Sequence, residues 1–175
     1  MTEETLSAPY VAGALSANAP ARLLALLVPL GLLGGALFSQ YVGHLYPCEM
    51  CWWQRYPHAA AILLVGAAFL FAAESRQART LVALAALAIA ISGGIGVYHA
   101  GVEAHIFKGF TTCSTMSKGG GSTADLLKQI MQVPLIQCDQ VQWRFLGLSL
   151  AAWNAIFSLT GAAAIAALLL RRRGA

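Results

Sequence analysis

Charge is what this sequence has least of. Of its 175 residues 10% are charged and 58% are hydrophobic, where a soluble globular domain carries about 25% charged residues. That scarcity argues against a separate soluble enzyme domain, and a mean hydropathy of +0.67 points to a membrane protein. Lysine and arginine total 11 against 7 acidic residues. No basic stripe with interleaved aromatics accompanies that excess, so nucleic acid is not an expected partner. Cysteine is scarce as well, four in all. Only Cys48 and Cys51 stand two residues apart. Trp52 follows them where a C-x-x-C-H haem attachment would need histidine. A second tight pair, normal for the other half of a four-thiolate zinc site, is also missing.

What is present is four long apolar runs, about 23–42, 52–73, 80–98 and 146–170. Each is near the ~20 residues that a spanning helix needs. They predict one all-α integral membrane domain, residues 23–170, built as a four-transmembrane-helix bundle. Residues 1–22 read as a flexible tail. A cleavable signal peptide is not expected, because only Arg22 precedes the first run and that run is too long for an h-region. Gly31 and Gly35 give a G-x-x-x-G spacing that predicts close helix contact. Ser92-Gly93-Gly94 predicts tight packing in the third run. Tyr46, Trp52, Trp53 and Tyr56 form an aromatic collar of the kind found at headgroup level.

Orientation follows from the flanking arginines. Arg22, Arg76, Arg79 and the run Arg171-Arg172-Arg173 predict a cytoplasmic N-terminus, middle link and basic tail 171–175. Lys108, Lys118, Lys128 and Arg144 sit in the opposite loop, but the short flanks count most. The His44–Pro47 turn and the loop 100–145 then face outward, and all four cysteines meet an oxidising compartment. Within that loop, Cys113 precedes a Gly119-Gly120-Gly121 joint. Ser122 and Asp125 resemble a capping box. Leu126, Leu127, Ile130 and Met131 fall at helical spacing, which predicts a short surface amphipathic helix that Pro134 stops before Cys138. Loops of this length are functional or disordered, and two cysteines favour function.

Sulfur at C-x-x-C spacing can bind metal, close a disulfide or exchange one. The small ring of such a pair suits exchange better than bracing. Two static disulfides in a membrane scaffold or transporter are the alternative, and no metal is assigned. Arg55 opens an apolar helix, where a charge is costly and a functional candidate. If the helix has begun, it shares a face with Cys51, and its guanidinium could stabilise a thiolate or an anionic oxygen. A snorkelling anchor is the plainer role for it. His99, at the end of the third run, could polarise an acceptor or shuttle a proton.

The stretch Cys48-Glu49-Met50-Cys51-Trp52-Trp53-Gln54-Arg55 resembles the C-x-x-C-x-x-Q-R signature of the DsbB family of membrane thiol oxidases. The stretch from Cys138 through Trp143-Arg144-Phe145-Leu146-Gly147-Leu148-Ser149 to Trp153-Asn154 resembles that family's lead into its last helix. Tyr98-His99-Ala100-Gly101-Val102-Glu103 is similar to a segment in one branch of it. In vitamin K epoxide reductase relatives, by contrast, the C-x-x-C lies late in the bundle. The resemblance implies an enzyme of the bacterial inner membrane, expected as a monomer. It would pass electrons from a periplasmic thioredoxin-fold, DsbA-like oxidase to a membrane quinone, ubiquinone or menaquinone. It implies that Cys48 and Cys51 are the quinone-coupled pair, with Cys51 touching quinone beside Arg55. Cys113 would meet the partner's thiolate, and Cys138 would resolve or re-pair. A relay of similar build running in the reducing direction, or serving another partner, is the remaining alternative.

Overall fold

In the computed structural model, residues 18–109 and 137–171 are described. They form an all-α bundle of four helices with a two-residue hairpin: α1 Ala19–Tyr41, α2 Glu49–Ala68, α3 Arg76–Glu103, β1 Arg144–Phe145, β2 Leu148–Ser149 and α4 Leu150–Arg171. Cys113, the triple-glycine joint, the expected amphipathic helix and Arg172–Arg173 lie outside the described residues.

Local chemistry sets each helix start. Pro20 sits in the first turn of α1, where its missing N–H costs nothing. Ser75 caps α3 by accepting the Ala78 N–H at 3.1 Å, so α3 starts ahead of the apolar run beginning at 80. The cap of α2 is a thiol: Cys48 Sγ accepts the Cys51 N–H at 3.3 Å. The last helix does not begin at Leu146. Leu146 (φ 51°) and Gly147 (φ 81°) make the turn of the hairpin, whose register pairs Arg144 with Ser149 and Phe145 with Leu148. Two central residues with positive φ fit the right-handed twist of a two-residue hairpin. Ser149 Oγ then accepts the Ala152 N–H at 3.2 Å and α4 follows.

The bundle is built with small residues inside and large ones outside. Ala25, Ala61, Ala68, Ala85 and Ala162 fill the core with Val65, Val82, Ile89 and Ile165, while Leu27, Leu63 and Leu70 are 60%, 74% and 83% exposed. That arrangement suits lipid, where close approach of small residues rather than apolar burial draws helices together. α1, α3 and α4 are each long and apolar enough to cross a membrane. α2 is not among those three, because its buried face carries Gln54, Arg55 and His58.

Glycine acts in two ways. A Cβ at Gly96 would lie 3.0 Å from the Ala151 carbonyl oxygen and 3.1 Å from the Ala155 nitrogen, both backbone of α4. At Gly93 it would meet Leu159 at 2.8 Å. These contacts explain how α3 reaches α4 so closely. Gly31 and Gly35 do not make the helix contact their spacing predicts, since a Cβ at either would meet nothing within 4 Å. Both line a cavity instead. Gly96→Leu should cost about 1–3 kcal/mol by overpacking, read as a lower thermal midpoint in micelles. Gly94→Leu, which points into open space, should leave the midpoint nearly unchanged.

The two ends of the bundle differ chemically. At one, Arg22 is buried; it donates to the Ala68 carbonyl at 2.7 Å and lies over the Phe69 ring at 4.4 Å. Arg79 donates to the Leu169 carbonyl at 3.3 Å. Both satisfy carbonyls at helix C-termini, where cations are favoured. Arg22 is therefore part of α1 rather than a free flank before it. The opposite end holds Cys48, Cys51 and Cys138.

Candidate functional site

Capping α2 with a thiol brings the C-x-x-C pair together. The two sulfurs are 2.9 Å apart, both as free thiols. Cys48 is buried and Cys51 is partly open. Cys138 arrives from a distant part of the chain and is buried against Cys48, with Met50 and Val102. Gln142 Nε2 pins that incoming segment by donating to the Tyr46 carbonyl at 2.6 Å. Further along, Trp143, Phe145, Trp153 and Phe157 stack in series, and Trp153 Nε1 donates to the Phe145 carbonyl at 3.0 Å. The Cys48 thiol hydrogen-bonds with Cys138 and with Cys51; these bonds, then burial, push its pKa far above the ordinary thiol range. Reduced Cys48 therefore holds its proton, whereas Cys51 lines the cavity with its sulfur beside it.

His99 is the fourth member. Its Nε2 lies 3.6 Å from Cys48 Sγ and 3.8 Å from Glu103 Oε1. Its Nδ1 meets Gln54 Nε2 at 2.8 Å. Gln54 Nε2 also donates to the Met50 carbonyl at 3.1 Å, and Gln54 Oε1 accepts from Asn154 Nδ2 at 2.8 Å. Asn154 Nδ2 reaches the Ser92 carbonyl at 3.2 Å, and Asn154 Oδ1 meets His58 Nε2 at 2.9 Å. Ser92 and Ser158 complete a polar cluster buried between α2, α3 and α4.

Arg55 is buried with its guanidinium tied to α1. It donates to Gln40 Oε1 and to the Ala36 carbonyl at 3.1 Å, and lies 4.9 Å over the Trp52 ring. This differs from a snorkelling chain, which keeps its head in water. Two of its five N–H groups are used in this way, which leaves others for a ligand.

A cavity of about 270 Å³ joins these groups, lined by Cys48, Cys51, Gln54, Arg55, His58 and His99 on the polar side. Gly31, Gly35, Leu32, Trp153 and Phe157 form its apolar walls. Ligand pockets start at roughly 300 Å³, so the space suits one ring rather than a whole lipid-tailed molecule. His58 Nδ1 is buried with no hydrogen-bond partner among the described residues. A flat, apolar ring with an acceptor oxygen fits the spare Arg55 N–H groups, whereas His58 Nδ1, bare because Nε2 donates to Asn154 Oδ1, fits a hydroxyl. Cys48, His99 and Cys138 also place one donor atom each within 4.8 Å of one another. A metal ion would need His99 Nε2 bare, and the hydrogen bond from Gln54 to Nδ1 instead protonates Nε2.

Of the residues singled out in the sequence, Cys48, Cys51, Cys138, Arg55 and His99 converge, while Cys113 lies outside the described residues. His44 and His105 are exposed, with φ of 53° and 56°. The sequence names Gln54 and Asn154 only within the family's stretches and Ser92 only for packing, and gives neither them nor His58 a role in the site. Their signal was polar pairs four apart inside apolar helices, Gln54 with His58 and Asn154 with Ser158, each pair on one face.

The family model for "Disulfide bond formation protein DsbB" matches residues 18–168. A protein of Aromatoleum aromaticum named disulfide bond formation protein B is 32% identical over 146 residues, 82% of this chain and 86% of that one. A protein of the same name from Marinobacter nauticus is 30% identical, covering 77% of this chain and 81% of its own. Another, from Burkholderia pseudomallei, is 30% identical over 167 residues, 91% of this chain and 95% of its own. No solved structure matches the chain significantly.

Proposed function

The chain belongs to the DsbB family of disulfide bond formation proteins, and from that premise we propose that it is a membrane thiol:quinone oxidoreductase. It reoxidises a periplasmic, DsbA-like thioredoxin-fold oxidase and so supports disulfide formation in other proteins. The observation that supports this reading best is the position of Cys48, in contact with Cys138 on one side and Cys51 on the other. A sulfur between two sulfurs can pass a disulfide from one to the next.

The relay runs as follows. The partner's thiolate attacks Cys113 of a Cys113–Cys138 disulfide, and Cys138 leaves as a thiolate. Cys138 attacks Cys48 of the Cys48–Cys51 disulfide; a Cys48–Cys138 bond forms and Cys51 leaves as a thiolate. Cys51 then faces the cavity beside Arg55. The partner's second thiol closes its own disulfide and frees Cys113, which attacks Cys138 and releases Cys48 as a thiolate; Cys48 and Cys51 re-pair only by giving two electrons to an acceptor. Each exchange consumes one thiolate and yields one. A quinone held by Arg55 beside Cys51 would supply a lipid-soluble acceptor of two electrons and two protons, with the bare His58 Nδ1 able to accept from a hydroxyl of the reduced ring. The aromatic walls align its ring, and the apolar surround excludes water.

We place the chain in the bacterial inner membrane with four spans, α2 as the fourth, and both termini cytoplasmic. The three apolar helices and the position of Arg22 and Arg79 at the end opposite the cysteines support that orientation. Reporter fusions after Arg76 and near Gly120 should report opposite compartments; the same compartment for both would overturn it. The function itself is tested by trapping the thiols with acid and alkylating them. The four cysteines should shift from oxidised to reduced when the quinone pool is made reducing. Cysteines that stay oxidised throughout would make the chain a braced scaffold instead.

A further inference from the structure

Resting on that oxidase reading, we propose that Gln54 and Asn154 are positioning residues: they fix His99 as the neutral Nε2–H tautomer, so that its N–H donates to Cys48 Sγ and stabilises the Cys48 thiolate as a leaving group. Two atoms here can only accept, the main-chain carbonyls of Met50 and Ser92. Gln54 Nε2 lies 3.1 Å from the first and Asn154 Nδ2 3.2 Å from the second. Those carbonyls settle which end of each amide is nitrogen, a choice that otherwise rests on the surrounding network. Gln54 Nε2 must then donate its second hydrogen to His99 Nδ1, 2.8 Å away. A neutral imidazole that accepts at Nδ1 carries its proton on Nε2. That proton faces Cys48 Sγ at 3.6 Å, in competition with the Cys138 backbone and with Glu103 Oε1 at 3.8 Å.

Asn154 locks the arrangement from the other side. Its Nδ2 donates to Gln54 Oε1 at 2.8 Å, so a flipped Gln54 would set two donors against each other. Its Oδ1 accepts from His58 Nε2 at 2.9 Å and from Ser158 Oγ at 3.2 Å, which opposes a flip of Asn154 itself. Ser92 Oγ spends its hydrogen on the Gln54 carbonyl at 2.8 Å. Each group has one orientation that satisfies all the others. Such a cluster is costly inside a membrane bundle unless complete.

The chemistry served is a single exchange. When Cys113 thiolate attacks Cys138 of the Cys48–Cys138 disulfide, the S–S bond breaks and its electron pair leaves on Cys48. Cys48 is buried beside two other sulfurs, and burial and those sulfurs oppose a negative charge there. The His99 N–H is the donor placed against that sulfur. No proton is transferred; the hydrogen bond strengthens as charge develops.

The test reads tautomer and thiol reactivity, with neither quinone nor partner present. In ¹⁵N-histidine NMR of the reduced protein in nanodiscs, His99 should show a protonated Nε2 and a bare Nδ1. Methanethiosulfonate labelling of Cys48 at one fixed pH, read by mass spectrometry, should slow about fivefold in Gln54→Met and Asn154→Leu, the scale of one neutral hydrogen bond. His99→Gln, which keeps an N–H near the Nε2 position, should restore most of the rate that His99→Leu loses. A wild-type His99 protonated at Nδ1 would overturn the proposal even if every variant misfolds. Equal labelling in His99→Gln and His99→Leu would overturn it too. A chain without oxidase turnover could still pass these tests, so the two readings fail separately.

Discussion

Replacing Cys138 with Ala is expected to abolish turnover and to leave Cys113 covalently joined to a soluble thioredoxin-fold partner. The buried position of Cys138 beside Cys48, and not beside a water-exposed surface, is what makes the outcome specific. In the variant Cys113 has no disulfide for a reduced partner to attack, so the adduct arises when the Cys113 thiolate attacks the disulfide of an oxidised partner. With Cys138 gone only the partner's second thiol can displace it, and the adduct accumulates. The substitution has a second consequence at Cys48. Its hydrogen bond to Cys138 is the largest influence pushing that thiol upward, so without Cys138 the Cys48 pKa should move back toward the ordinary range. Non-reducing mass spectrometry should find the Cys113 adduct in membranes. Labelling of reduced Cys48 should also be faster than in the parent protein. An active Cys138→Ala enzyme would mean that Cys113 reaches the inner pair directly. The route through Cys138 would then be wrong.

Much of this geometry could be read from the residues alone. Long apolar runs locate helices because a membrane leaves the backbone few options, and the runs around 23–42, 80–98 and 146–170 mark α1, α3 and α4. Their ends were less legible, since caps rather than hydropathy decide them: Ser75 starts α3 at Arg76, and the hairpin turn at Leu146–Gly147 delays α4 to Leu150. The G-x-x-x-G spacing misled, because Gly31 and Gly35 face a cavity that only the packed bundle creates. C-x-x-C announces paired sulfurs because three residues make less than one helical turn. The meeting of Cys138 with Cys48 is a contact between residues far apart in sequence, which no local pattern encodes. The same holds for Asn154 and Gln54, 100 residues apart in sequence and hydrogen-bonded at 2.8 Å.

Arg55→Leu should lower quinone-dependent turnover by roughly a hundredfold, the scale of losing one well-placed donor in a water-poor site. Two roles compete for this side chain. As a tie, it holds α2 to α1 through Gln40 and the Ala36 carbonyl. As a ligand, it lines the cavity beside Cys51 with N–H groups to spare. The roles separate through Gln40, which contacts Arg55 but is not among the cavity walls. Gln40→Leu removes half of the tie and keeps the charge. A tie predicts that both variants lower the thermal midpoint and activity together. A ligand predicts that Gln40→Leu loses little activity, whereas Arg55→Leu raises the KM for quinone and lowers kcat while the labelling rate of Cys48 stays near the parent value. Arg55→Lys should recover only part of the loss, since an ammonium keeps the charge without the planar fork. Equal activity losses in Gln40→Leu and Arg55→Leu would assign Arg55 to packing, and the ligand role would be lost.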